Sequence, residues 1–189
     1  VCTRVADLRR ERMDATSCVL DGKIYVIGGI REEVTWSDGE FYDPKTDKWT
    51  RIAPMNRARN GCAAAAFNGE VYVVGGFVQK YSPATNTWST LASMKIPRFS
   101  PTLVASCGML YAMGGWGDDS HLYFQSVERY DPKTDKWEIM SDMSGRKGDR
   151  KMICAIPIPS SFPTPLSNQE AASRNYRAFR MLSKVTTVF

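Results

Sequence analysis

Three apolar runs of one build recur in the first 143 residues: KIYVI at 23–27, EVYVV at 70–74 and MLYAM at 109–113. Short runs of this kind, apolar almost throughout, predict strands buried on both faces. A run rich in small residues comes just before each: TSCVL at 16–20, CAAAAF at 62–67 and TLVAS at 102–106. Small side chains suit strands that crowd toward an axis, where space tapers. Each apolar run ends on a glycine doublet, Gly28-Gly29, Gly75-Gly76 or Gly114-Gly115, which permits positive φ or close backbone approach. A third strand ends at Tyr42, Tyr81 or Tyr130, and a fourth opens at Trp49, Trp88 or Trp137, seven residues later. Between them, Asp43-Pro44 and Asp131-Pro132 have the composition of a type I turn. Ile52, Leu91 and Met140 follow the tryptophans by three residues and put an apolar side chain on the fourth strand. Arg12, Arg59 and Arg98 stand sixteen residues before each doublet, and Met55, Met94 and Met143 six after each tryptophan.

A four-stranded sheet recurring about every 40–50 residues is a propeller blade, with its first strand innermost and its fourth outermost. The fold class is therefore all-β: a partial β-propeller of about three four-stranded blades with an irregular C-terminal tail. The glycine doublet, the Tyr-Asp-Pro turn and the spaced tryptophan resemble the kelch repeat. The close agreement of the units, with DPKTDKW occurring twice, is most similar to the kelch-like proteins, in which a kelch propeller follows BTB and BACK regions. The resemblance runs from about residue 8 to 143 and implies a C-terminal fragment or a truncated form.

The expected divisions are 1–11, the end of a preceding or degenerate blade; 12–56, a blade; 57–95, a blade with a shortened b–c loop; 96–143, a blade; and 144–189, a tail. Cys2 stands where an earlier tryptophan would fall. The gap from doublet to tryptophan is shortest in the second unit, and that unit is expected to be the poorest, with a clipped third strand. Three blades do not close a ring, so a bare apolar face is expected at each end of the arc.

Composition adds limits. The chain has 189 residues, 25 Lys and Arg against 20 Asp and Glu, a net charge of +5 and 24% charged residues. That modest basic balance does not call for a nucleic-acid partner. No apolar run reaches the roughly 18 residues of a membrane span. Five cysteines, at 2, 18, 62, 107 and 154, include no C-x-x-C pair. The chain has a single histidine, His121, so neither a metal nor a cofactor is expected. Cys62, read as a loop residue, and Cys107, read as a buried strand residue, are candidate redox thiols without a sequence sign of low pKa. The tail carries a proline-rich linker at 157–166. Beyond it stands either a disordered segment or, from Ser167, a short basic helix with Arg174, Arg177 and Arg180 on one face.

Propellers bind through loops that differ between blades on a common frame. The candidates are Arg31, Glu32, Glu33, Trp36 and Asp38 in the first b–c loop, and Trp116, Asp118, Asp119, His121 and Tyr123 in the third. Asn56, Arg57, Lys95 and Ile96 add the d–a loops. Asp118-Asp119 makes a poor metal or acid–base pair, because neighbours on a strand point to opposite faces. Recurrence of Arg12, Arg59 and Arg98 argues for a structural job, such as satisfying loop carbonyls between blades. The repeating Tyr and Trp are core by the same logic.

The resemblance implies a non-catalytic interaction module, the substrate-recognition domain of a BTB-kelch adaptor for a cullin-RING ubiquitin ligase. The partner would be a protein substrate or a cytoskeletal protein held by the loops. Cullin would be reached only through a BTB region that these residues do not contain. The expected place of work is the cytoplasm, with cytoskeleton and nucleus as variants. Alternatives are an actin-binding kelch protein and a kelch metalloenzyme; a copper enzyme is opposed by the single histidine.

Overall fold

A computed structural model describes residues 3–117, 123–140 and 142–143, and among these the chain forms fourteen strands and no helix. Unit one contains β1 (Thr16–Leu20), β2 (Lys23–Ile27), β5 (Gly39–Asp43) and β6 (Lys48–Ile52). A small hairpin, β3 (Ile30–Arg31) with β4 (Val34–Thr35), rises between its second and third strands. Unit two contains β7 (Ala63–Phe67), β8 (Glu70–Val74), β9 (Gln79–Ser82) and β10 (Thr87–Thr90). Unit three contains β11 (Thr102–Ser106), β12 (Met109–Met113), β13 (Val127–Asp131) and β14 (Lys136–Ile139). Every unit is an antiparallel meander in chain order. β7 packs against both β1 and β11, so the small-residue strands are the inner ones. β9 has four residues where β5 and β13 have five.

The turn between third and fourth strands follows from its residues. Asp43 accepts the Lys45 amide through Oδ1 at 2.9 Å, and its carbonyl accepts the Thr46 amide at 3.2 Å. Asp47 then adopts φ 50, and its carboxylate accepts the Tyr42 hydroxyl at 2.7 Å. Asp131, Asp135 and Tyr130 repeat the arrangement in unit three, and Asn86 with Tyr81 repeats its last step in unit two. Asp and Asn tolerate the left-handed conformation better than other side chains do.

The core lies between units. Leu20, Tyr25 and Ile27 of unit one pack on Val71, Val73 and Tyr81 of unit two. Ala65, Tyr72 and Val74 of unit two pack on Leu110, Tyr130 and Trp137 of unit three. Polar latches register these contacts. Trp88 Nε1 donates to the Ala53 carbonyl at 2.7 Å, and Trp137 Nε1 donates to the Ala92 carbonyl at 2.9 Å. The amides of Ala53 and Ala92 donate in turn to Asn86 and Asp135, at 2.8 and 3.0 Å. Ahead of unit one, Ala6 makes the same pair of bonds, accepting from Trp49 Nε1 and donating to Asp47, both at 2.8 Å. The Ala6 amide, and after it the Tyr42 hydroxyl, hold the Asp47 carboxyl below its ordinary range.

Two expectations are corrected. β2 is not buried on both faces, because Ile24 is 39% exposed and its neighbour Val19 63%, while their counterpart strands β8 and β12 keep Val71 and Leu110 at 0%. Ile24 pairs with Tyr42 on the face that meets no earlier sheet. The far side of unit three is not apolar in the same way. There Tyr111 pairs with Arg129, which forms a 2.7 Å ion pair with Glu138. The predicted tail, 144–189, lies outside the described residues.

Candidate functional site

The three repeating arginines brace the gap between second and third strands. Arg12 donates to the Gly28 carbonyl and to Asp38 Oδ1, both at 2.8 Å, and lies 3.4 Å from Glu40. Arg98 donates to the Gly114 and Ser126 carbonyls, at 2.8 and 2.9 Å, and pairs with Glu128 at 3.1 Å, both side chains fully buried. Arg59 donates to the Phe77 carbonyl and to Gln79 Oε1. Loop carbonyls are the target, yet they belong to the arginine's own unit rather than to a neighbouring one, because the guanidinium reaches only across its own strand gap. Glu128 also accepts the amides of Lys95 and Ile96, at 2.6 and 3.1 Å. In unit one the corresponding carboxylate is less well served: Glu40 Oε2 and Arg12 Nε are buried without a hydrogen-bond partner.

The b–c ends of the units, with the d–a segments 57–61 and 97–99, line an open cleft of about 600 Å³. Its floor is unit two, where only Phe77 and Val78 separate the glycine doublet from β9. Thr35, at the end of the β3–β4 hairpin, stands at one side, and Phe99, Trp116 and Gly117 stand at the other. The hairpin turns on Glu32 and Glu33, at φ 49 and 68, as a two-residue loop between paired Arg31 and Val34 requires. The Arg57 guanidinium lies 4.1 Å from the centre of the Phe77 ring, and Phe99 meets Trp116 at 4.8 Å.

The candidate residues thus separate. Arg57 and Trp116 line the cleft. Arg31 is exposed on the hairpin, paired with Glu11 at 2.8 Å. Trp36 is half-buried beneath Arg10 and Arg12, and Asp38 is engaged by Arg12 inside the unit, so neither stands free as an open loop residue would. Tyr123 is exposed and bridges back to Trp116. Asp118, Asp119 and His121 lie outside the described residues. Phe77, Phe99 and Gln79 were not singled out from sequence. The signal for Gln79 was there: it stands two before Tyr81, where Glu40 and Glu128 stand two before Tyr42 and Tyr130.

Burial pushes Cys18 up to about 12 and Cys62 up to about 11, so both hold their protons near neutral pH. Cys62 is buried rather than in an open loop, and Cys107 is exposed in the β11–β12 turn rather than buried in a strand. Among the described residues, no group of three or more His, Cys, Asp or Glu is placed to hold a metal ion.

Comparison with known proteins agrees with this geometry. The kelch motif profile matches residues 11–56, 58–95 and 97–144. A protein of Arabidopsis thaliana named as an F-box/kelch-repeat protein is 50% identical over 48 residues, which is 24% of this chain and 12% of that protein. A second from the same plant is 45% identical over 49 residues, 24% of this chain and 14% of the relative. The chain thus aligns with a small part of the length of these relatives. The solved structure of YjhT matches with a TM-score of 0.67 at 20% identity, over 77% of this chain and 56% of that one, a likeness of fold. The names of these relatives join an F-box, rather than a BTB region, to kelch repeats. With the kelch profile matching all three units, the chain belongs to the kelch-repeat family.

Proposed function

We propose that the chain is a non-catalytic protein-binding module, the recognition part of a ubiquitin-ligase adaptor that works in the cytoplasm. One observation carries this reading. The turn ends of the units are built alike, down to the Tyr hydroxyl bonded to Asp47, Asn86 or Asp135. The b–c ends differ in every unit: a hairpin in the first, two residues in the second and a loop led by Trp116 in the third. A constant frame with one variable end is how a scaffold presents a recognition surface. The names of the relatives, which join an F-box to kelch repeats, support the ligase part.

The test compares two variants of the full chain by crosslinking and mass spectrometry in cell extract. Arg31→Ala with Trp116→Ala alters the variable end, and Lys45→Ala with Lys133→Ala alters the constant end. Partners crosslinked by the parent chain should be lost from the first variant and kept by the second. Loss from the second, or equal retention by both, overturns the reading.

A further inference from the structure

Arg59 differs from its two counterparts in one atom of chemistry. Arg12 has Glu40 and Asp38 as partners, and Arg98 has Glu128. Arg59 has the neutral amide of Gln79, at 2.7 Å, and the carbonyl of Phe77. Gln79 keeps the hydrogen bond and removes the charge. Among the described residues, no carboxylate lies within ion-pair distance of Arg59, although the residue is only 8% exposed. A buried charge without a counter-charge is costly in a low-dielectric setting, and that cost falls when an anion arrives.

The cleft lies beside this charge. Arg57, Arg59 and Arg98 line it, and among the described residues no acidic side chain does. Arg98 is neutralised by Glu128, whereas Arg57 and Arg59 are not matched by any carboxylate among the described residues. Burial is the main cause that lowers the proton affinity of Arg59 from its ordinary value; the neighbouring Cys62 opposes it, and the like charge of Arg57 adds to it. Phe77, Phe99 and Trp116 add aromatic walls. Arginine and aromatic side chains together are the residue types that anchor protein interfaces.

We propose that the cleft over unit two docks an acidic segment of a protein partner, seating a side-chain carboxylate against Arg57 and Arg59 and an adjacent apolar residue against Phe77, Phe99 and Trp116. This rests on the reading of the chain as a protein-binding module and names the chemistry of the partner. The short second b–c loop is what leaves room for it, and Gln79 is what leaves the charge unspent.

The experiment uses the full chain and fluorescein-labelled nonapeptides with a central Glu-x-Glu, where x is Leu, Phe, Tyr or Trp, beside twins with Gln-x-Gln. Binding is read by fluorescence anisotropy. The Glu peptides should bind the parent chain and the Gln twins should not. Gln79→Glu installs the carboxylate that units one and three already carry, so the variant should fold, and its urea midpoint is measured to show it. It should weaken binding of the Glu peptides about tenfold or more, the worth of one charged hydrogen bond. Arg57→Gln, at an exposed position, should do the same without touching the core. Equal binding of the Glu and Gln peptides, unchanged binding by Gln79→Glu, or no binding of either set overturns the acidic site. Partner capture through Arg31 and Trp116 is read separately, so the module reading can stand when the acidic site falls.

Discussion

Gly28 shows how one residue holds two units together. Its φ is 66, and a Cβ there would sit 2.4 Å from the Arg59 carbonyl oxygen, which already accepts the Gly29 amide at 2.9 Å. Gly28→Ala should therefore cost about 2–3 kcal/mol, from backbone strain plus a displaced carbonyl. Gly76, at φ 73 but with nothing within 4 Å of its would-be Cβ, should cost only about 1 kcal/mol as Ala. Urea unfolding of both variants checks the pair, and equal losses would show that the close approach at Gly28 carries no weight. Among the cysteines the same local reasoning gives an order of reactivity. At pH 8.5 an ordinary thiol is partly ionised, but raised values near 12 and 11 keep Cys18 and Cys62 protonated in the fold. Iodoacetamide followed by mass spectrometry should label Cys107 well before either. The sign for stability follows: thiols that hold their protons more tightly when folded stabilise below the unfolded value of 9.0. That contribution is lost as pH rises toward 11–12.

At the level of the strand, the fourth-strand tryptophans occupy equivalent positions in unequal surroundings. Trp137 is 3% exposed, between unit two and its own sheet, whereas Trp49 is half-buried against the segment around Ala6. Trp137→Ala should cost about 3–5 kcal/mol and Trp49→Ala nearer 2 kcal/mol, since less contact is lost. Equal losses on denaturant unfolding would mean that Ala6 and its neighbours cover Trp49 as fully as a whole blade does. From sequence the two tryptophans are indistinguishable, as their flanking residues are DPKTDKW in both. Strand identity was legible because each marker acts locally: apolar runs, glycine ends and Asp turns need no distant partner to be read. The burial of a strand's second face was not, since it is supplied by another unit.

For the whole molecule, the two ends of the array are unlike. Unit one leaves Val19 and Ile24 open, while unit three ends on Tyr111, Arg129 and Glu138. An uncapped apolar sheet face favours association. The full chain should self-associate through the unit-one face, with a sedimentation coefficient that rises with concentration. Val19→Lys with Ile24→Glu should abolish that rise, and Arg129→Ala should leave it in place. A parent chain that sediments as a monomer at every concentration would sink this.

The unit is readable from residue order alone: four strands, a small-residue inner strand, the Asp turns, and the places of Arg, Tyr and Trp. These follow from short-range rules of strand alternation, turn geometry and backbone freedom, repeated three times in phase. Where the unmatched charge lies, and what stands beside it, came from the packing of the sheets. Arg59 and Gln79 are twenty residues apart, and Trp116 comes from the following unit. Their convergence on one cleft depends on the packing of whole sheets, which no local pattern encodes.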